Sequence, residues 1–186
     1  TWQPGIVVSA GELTRAVISE IKGALSPAQT VAITAWREAE ARLEHGRWVP
    51  NPIDAMVDII NVIDNRATDA RWKARGHKGV CHQRWAFSCW EPTGGPDDPN
   101  DADLLAENFE VVMAWSQRLM AGMQPTGQLL NCLAAAEGCL GGTLVDTLDH
   151  ACHYFATWWP TPKWAQHPAA REVCRRWGHI FVADVP

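Results

Sequence analysis

SPAQTVAITAWREAEARLEHGRWVPNPIDAMVDIINVIDNR, Ser26–Arg66, decides the fold class, because two helix starts are written into it in the same way. Ser26 is a capping residue, Pro27 suits the first helical position, and Gln29 stands where the reciprocal partner of a capping box belongs. Val31, Ala35, Trp36, Ala39 and Leu43 then recur at helical spacing. This predicts a helix from Pro27 to about His45, closed by Gly46. After a loop over Arg47–Pro50, Asn51 and Pro52 repeat the signal. Ile53, Met56, Val57, Ile60 and Ile63 predict a second helix that ends near Arg66.

Upstream, Glu12–Leu25 fits a further helix, and residues 1–25 read as a leader to a single domain over 26–186. Ile6, Val7 and Val8 make too short an apolar core for a signal peptide, with no basic region before them. No run of about 18 apolar residues predicts a membrane span. Downstream, 67–79 is polar and irregular, and CHQRWAFSCW (Cys81–Trp90) is dense in aromatic and polar side chains. EPTGGPDDPND (Glu91–Asp101) is a loop, punctuated by Gly, Pro and Asp. A third helix is expected from Asp101 to Met120, with Leu105, Phe109, Val112, Met113, Ser116 and Met120 inward and Gly122 as its stop. Leu129–Leu140 predicts a shorter helix ended by Gly141-Gly142. HACHYFATWW and WGHIFVADV read as short strands on either side of the Pro-rich PTPKWAQHP. The expected class is α+β, mainly α: a helical domain with a small antiparallel sheet near the C-terminus.

The formal net charge is −5 and no dense Lys/Arg stripe is present, which argues against a nucleic-acid partner. Arg171, Arg175 and Arg176 form a small cluster, read as a solvated face. Eleven Trp against one Tyr and four Phe is a skewed aromatic set. It fits an open aromatic surface that stacks on the C–H faces of sugars, or a Trp-rich core. None of the six Cys forms a CxxC pair, and free buried thiols are expected. Cys81/Cys89 and Cys132/Cys139 are near enough in sequence to close small loops if oxidised.

Three chemistries compete. Ser88 and Cys89 lie near His82, but no GxSxG elbow frames a nucleophile. His150, Cys152, His153 and His179 offer zinc ligands, but on a strand His153 points away from His150 and Cys152. Glu38 and Glu40 offer carboxylate chemistry. A carboxyl facing an apolar cleft is kept protonated by desolvation and can act as an acid, which glycosidic cleavage requires.

Six pieces in order tip the balance. These are Trp36-Arg37-Glu38-Ala39, VIDNR (Val62–Arg66), QRWAFSCW (Gln83–Trp90), His153-Tyr154, Pro162-Lys163-Trp164-Ala165 and Gly178-His179-Ile180-Phe181. Over about Val31–Val182 the set resembles the SleB-type cell wall hydrolase family, which includes spore-cortex-lytic enzymes and phage endolysins. QRWAFSCW is the most specific piece. The resemblance implies a lysozyme-like fold and cleavage of the MurNAc–GlcNAc bond in peptidoglycan glycan strands, with no cofactor and no metal. It implies Glu38 as the catalytic acid, in a muramidase or a one-Glu lytic transglycosylase. Asn65, Phe87, Ser88, Trp90, His153, Tyr154 and Trp164 are the substrate-binding candidates. His179 is expected to be a satisfied structural histidine and Arg66 half of an ion pair. For hydrolysis a second carboxylate is needed, and Glu44, Asp54 and Asp58 are the candidates.

The sequence also departs from the family. Glu-Ala-Glu-Ala-Arg stands where Glu-Ala-Arg-Gly-Glu is usual, so Glu40 competes with Glu38; the distance from Trp36 favours Glu38. GRWVPNP is extra, Ala86 replaces an expected Gln, and 124–142 looks like an insertion that covers the cleft or binds a partner. These departures keep open a weakly active wall-binding or virion module. The expected setting is a phage endolysin, made in the host cytoplasm and acting on the wall in the periplasm after membrane breach.

Overall fold

Both capped helices form, but the first is shorter than its pattern. A computed structural model describes residues 15–72, 75–83, 86–90 and 102–186. Residues 1–14, Arg84 and Trp85 of the aromatic block, the loop expected over 91–101 and the start expected at Asp101 lie outside the described residues, as do the side chains of Leu43 and Leu105. In chain order the elements are α1 (Arg15–Ala24), α2 (Pro27–Ala39), β1 (Ala41–Glu44), β2 (Arg47–Pro50), α3 (Ile53–Thr68) and α4 (Gly76–Cys81). A 3-10 turn (Ser88–Trp90), α5 (Ala102–Met120), α6 (Gly127–Leu140), β3 (His153–Ala156), a 3-10 turn (Lys163–Gln166), β4 (Arg171–Arg176) and β5 (His179–Ala183) follow. The chain is mainly helical with small antiparallel sheets, the α+β class expected.

The capping box is realised in full: Gln29 N–H donates to Ser26 Oγ at 3.2 Å, and Ser26 N–H donates to Gln29 Oε1 at 2.9 Å. The predicted end at His45 is wrong. His45 (φ 49°) and Gly46 (φ 76°) form a two-residue turn, and Arg42–Glu44 fold back onto Arg47–Val49 as a hairpin. The vacated carbonyls of α2 find new donors: Asn51 Nδ2 donates to the Ala39 carbonyl and Asn51 N–H to that of Glu40. Asn51 therefore caps the end of α2, while Pro52 takes the N-cap position of α3.

The second correction is β4. Arg171–Arg176 is not merely a charged face; it is an edge strand paired with β5 through a second two-residue turn, Trp177-Gly178, again with positive φ at both residues. The sheet order is β3-β5-β4, all antiparallel. A third correction is α4, a short helix where 67–79 was expected to stay irregular.

One core joins α2, α3, α5 and α6 to the inner face of the sheet. It contains Ile33, Met56, Ile59, Ile60, Ile63, Phe109, Met113, Cys132, Ala136 and Phe181. Ile21 of α1 and Leu25 just after it are buried in the same core. The stretch read as an insertion supplies α6, whose Leu129, Cys132 and Ala136 are core residues. A smaller apolar cluster covers the outer face: Phe155, Ile180, Val182 and Val185, with Trp159, Trp164, Ala165 and Ala170 against it. No helix among the described residues is long and apolar enough to cross a membrane.

Candidate active site

Glu38 sits one residue before the end of α2, half-buried, and two other elements converge on it. The Tyr154 hydroxyl, from β3, donates to Glu38 Oε2 at 2.7 Å. From the 3-10 turn, the Ser88 hydroxyl (3.3 Å) and the Cys89 backbone N–H (3.1 Å) donate to Oε1. Glu40, two residues on, has turned away and pairs with Arg37 at 2.6 Å. A helix turns about 100° per residue, so neighbours two apart cannot share a partner set.

The turn that delivers Ser88 and Cys89 is pinned by Trp90. Its indole N–H donates to Thr34 Oγ1 at 2.8 Å, and Thr34 lies one helical turn before Glu38 on the same face. Trp90 is 1% exposed, as is Phe87. Neither offers a ring face to a ligand; they back the site. Phe87 lies behind Tyr154, ring centroids 6.4 Å apart. Asn65 is buried too, and its amide donates to the Ala151 carbonyl (3.2 Å) and to Asp146 (3.4 Å), tying α3 to the segment that leads into β3.

The pleat of β3 separates two expected neighbours. Tyr154 points to the inner face, toward Glu38, His179 and Phe181. His153 points to the outer side, between Trp72 (5.6 Å) and Trp164 (5.0 Å). Of the eight residues singled out from sequence, Glu38, Ser88 and Tyr154 meet. Asn65, Phe87 and Trp90 stand behind them, and His153 and Trp164 lie across the sheet. The Cys89 N–H belongs to the main chain and is a donor that reading side chains misses.

The sequence profile of the cell wall hydrolase family matches residues 50–182. The chain belongs to the cell wall hydrolase family. Its substrate class is peptidoglycan. The match spans Ser88 and Tyr154 but begins after Glu38, so the choice between Glu38 and Glu40 rests on the geometry above. No curated protein and no solved structure matches the chain.

In this cell wall hydrolase the electrostatics follow from burial. Burial, and then the charge of Glu38, push the Tyr154 phenol well above its ordinary value, so it stays protonated and donates. Arg66 forms none of the ion pairs found among the described residues, contrary to expectation. Its Nε donates to the Cys152 carbonyl at 2.6 Å, and its guanidinium lies over Phe87 (5.2 Å) and Trp72 (5.7 Å). Burial lowers its pKa, and the charge of Glu38 is among the influences that raise it. Arg66 is thus a buried cation held against Phe87, which itself lies behind Tyr154.

The competing chemistries find little support. All six cysteines are free. Burial pushes the Cys81 thiol up to about 12 and Cys89 well above the usual range, so neither is a thiolate at neutral pH. The four residues of the zinc set are dispersed. The His150 side chain is 87% exposed, His153 faces outward, and His179 lies on the inner face against Tyr154. His179 is buried and its Nδ1 has no hydrogen-bond partner, so it is less satisfied than expected; burial lowers it to about 4.

Proposed function

We propose that this cell wall hydrolase cleaves the MurNAc–GlcNAc bond as a lytic transglycosylase, with Glu38 as its one catalytic carboxylate. The observation that carries this reading is the three-donor cradle on Glu38, built from α2, the Ser88–Trp90 turn and β3. Two of those donors are hydroxyls, which can donate or accept. The cradle can therefore hold both the acid and the carboxylate form, and a group that gives and then takes a proton needs both.

The steps balance with one such group. Glu38 gives its proton to the glycosidic oxygen as the bond from the muramoyl C1 to that oxygen breaks, freeing the GlcNAc hydroxyl. Arg66 behind Phe87 and the Tyr154 hydroxyl stabilise the carboxylate left on Glu38. That carboxylate takes the proton from the muramoyl C6 hydroxyl as the C6 oxygen bonds to C1, closing a 1,6-anhydro ring. Glu38 ends protonated, ready for the next cycle.

A hydrolytic route needs a second free carboxylate. Asp58 is committed to Arg176 through two bonds of 2.6 and 2.7 Å, and Glu44 pairs with Arg42 at 2.6 Å. Asp54, the third candidate, stands exposed in the first turn of α3 and outside the donor set on Glu38, so the one-carboxylate route rests on the cradle itself. The setting we propose, from the resemblance to phage endolysins, is synthesis in the host cytoplasm and action on the periplasmic wall after membrane breach.

Mass spectrometry of purified peptidoglycan digested by the chain tests the reading. Muropeptides ending in 1,6-anhydro-MurNAc are expected. Reducing-end MurNAc would mean hydrolysis and would overturn the ring closure. Glycan binding with no product at all would make the chain a wall-binding module.

A further inference from the structure

The β1–β2 hairpin, which begins three residues after Glu38, carries Trp48 at 58% exposure. Trp158, four residues past Tyr154, is 37% exposed. The two rings meet edge to face, centroids 5.7 Å apart and planes at 87°. Such a contact covers one face of one ring. Two partly exposed indoles in contact form a continuous apolar patch, unlike the singly scattered apolar residues of an ordinary surface.

This patch connects to the Glu38 site ring by ring. Tyr154, bonded to Glu38, touches His179 (5.2 Å), and His179 touches Trp158 (6.4 Å), which touches Trp48. The patch is also held rigidly. Trp158 lies directly on the β4–β5 turn: a Cβ added at Gly178 would sit 2.9 Å from its Cζ3 and 2.8 Å from Arg42 Cβ. Only glycine fits there, at φ +76°. Asn51 clamps the base of the hairpin to the same turn, donating to the Trp177 carbonyl at 3.3 Å and accepting from Arg42 Nη1 at 2.7 Å. Rigid aromatic faces bind with little loss of conformational freedom.

We propose that Trp48 and Trp158 form a sugar-binding platform that seats the glycan strand where it runs past the bond being cut, stacking on the C–H face of a pyranose ring. The inference rests on the glycan-cleaving reading above and adds a subsite to it. Its occupant is a sugar ring of the peptidoglycan strand, because both rings stand on segments that leave the Glu38 site, Trp48 on the hairpin that follows α2 and Trp158 just past β3. The hairpin supplies half of the platform, which gives the extra GRWVPNP segment a purpose.

The test is calorimetric binding of peptide-free glycan strands to the full chain carrying Glu38→Gln, which removes turnover. Trp48→Ala and Trp158→Ala are each expected to weaken binding about tenfold, the effect of losing one aromatic anchor. Trp48→Phe should recover most of the loss. With Glu38 intact, Trp48→Ala should raise KM by a similar factor and leave kcat within about twofold. Trp48 is mostly exposed, so its removal should leave Tm unchanged, and circular dichroism checks this. Strand binding by Glu38→Gln that Trp48→Ala and Trp158→Ala leave unaltered would overturn the platform alone. No binding by Glu38→Gln itself would overturn the glycan reading and the platform together.

Discussion

His153 and Tyr154 are consecutive residues of one strand, yet they serve opposite faces of the sheet. Tyr154 faces inward and closes on Glu38, against a core shared with α2 and α3. His153 faces outward into rings, with Trp72 and Trp164 against it. The inner face is also docked by charge: Arg176 of β4 makes a two-pronged pair with Asp58 of α3. The outer face carries an apolar cover instead, Phe155, Ile180 and Val182 under Trp159 and Trp164. The sheet is therefore an instrument on one side and a packed wall on the other, and predictions can be set one face against the other.

The largest contrast concerns the carboxylate that the inner face serves. Glu38→Gln should lower peptidoglycan turnover by about 10³-fold or more, the scale of a lost general acid. Glu40→Gln, which loses only a half-exposed ion pair with Arg37, should stay within about threefold. Turnover assays on both variants decide, and the reverse ranking would move the site by two residues.

Next in size is stability. Arg176→Ala leaves the Asp58 carboxylate, 3% exposed, without its partner. Because the arginine end is partly solvated, a loss of about 2–3 kcal/mol is expected. Trp164→Ala on the outer face removes a half-buried ring and should cost about 1–2 kcal/mol. Denaturant melts measure both. An outer-face loss exceeding the inner one would mean that ring packing, not the charge pair, docks the sheet.

The last effect is read against pH rather than as a single loss, and both faces share it. Burial lowers His153 and His179 to about 4, from about 6.5 in the unfolded chain. Between those values the unfolded chain binds protons that the folded one does not, so stability rises with pH. It is complete above about pH 6.5 and drains away as pH falls toward 4. Tm measured across that range should drop, and His153→Gln or His179→Gln should each flatten the slope. A slope that neither variant changes would assign the acid loss to other groups.

Much of this was legible in the letters. The capping box at Ser26 and Gln29 and the apolar spacing of α3 produced their helices, because each local signal agreed with burial. Where two signals conflicted, the longer pattern misled. The helical spacing runs on through Leu43, whereas His45-Gly46 marks a hairpin turn, and the turn prevailed. In β4, REVCRR carries too few apolar residues to look like a strand, and only its Trp-Gly turn betrays the pairing with β5. For the site, the resemblance to the cell wall hydrolase family singled out Glu38, and side-chain chemistry added Ser88 and Tyr154. They could not separate lining from backing, because burial puts Asn65, Phe87 and Trp90 out of reach and the pleat sends His153 outward. The Cys89 N–H has no letter of its own.

The most direct test of the two-faced sheet is turnover of purified peptidoglycan by Tyr154→Phe and His153→Phe, measured side by side with their melting temperatures. Losing one hydrogen bond to a charged group should cost Tyr154→Phe about 10–100-fold in kcat. His153→Phe should keep turnover within about threefold, because its ring contacts survive the change. Full activity in Tyr154→Phe with a dead, folded His153→Phe would place the chemistry on the outer face and contradict the account.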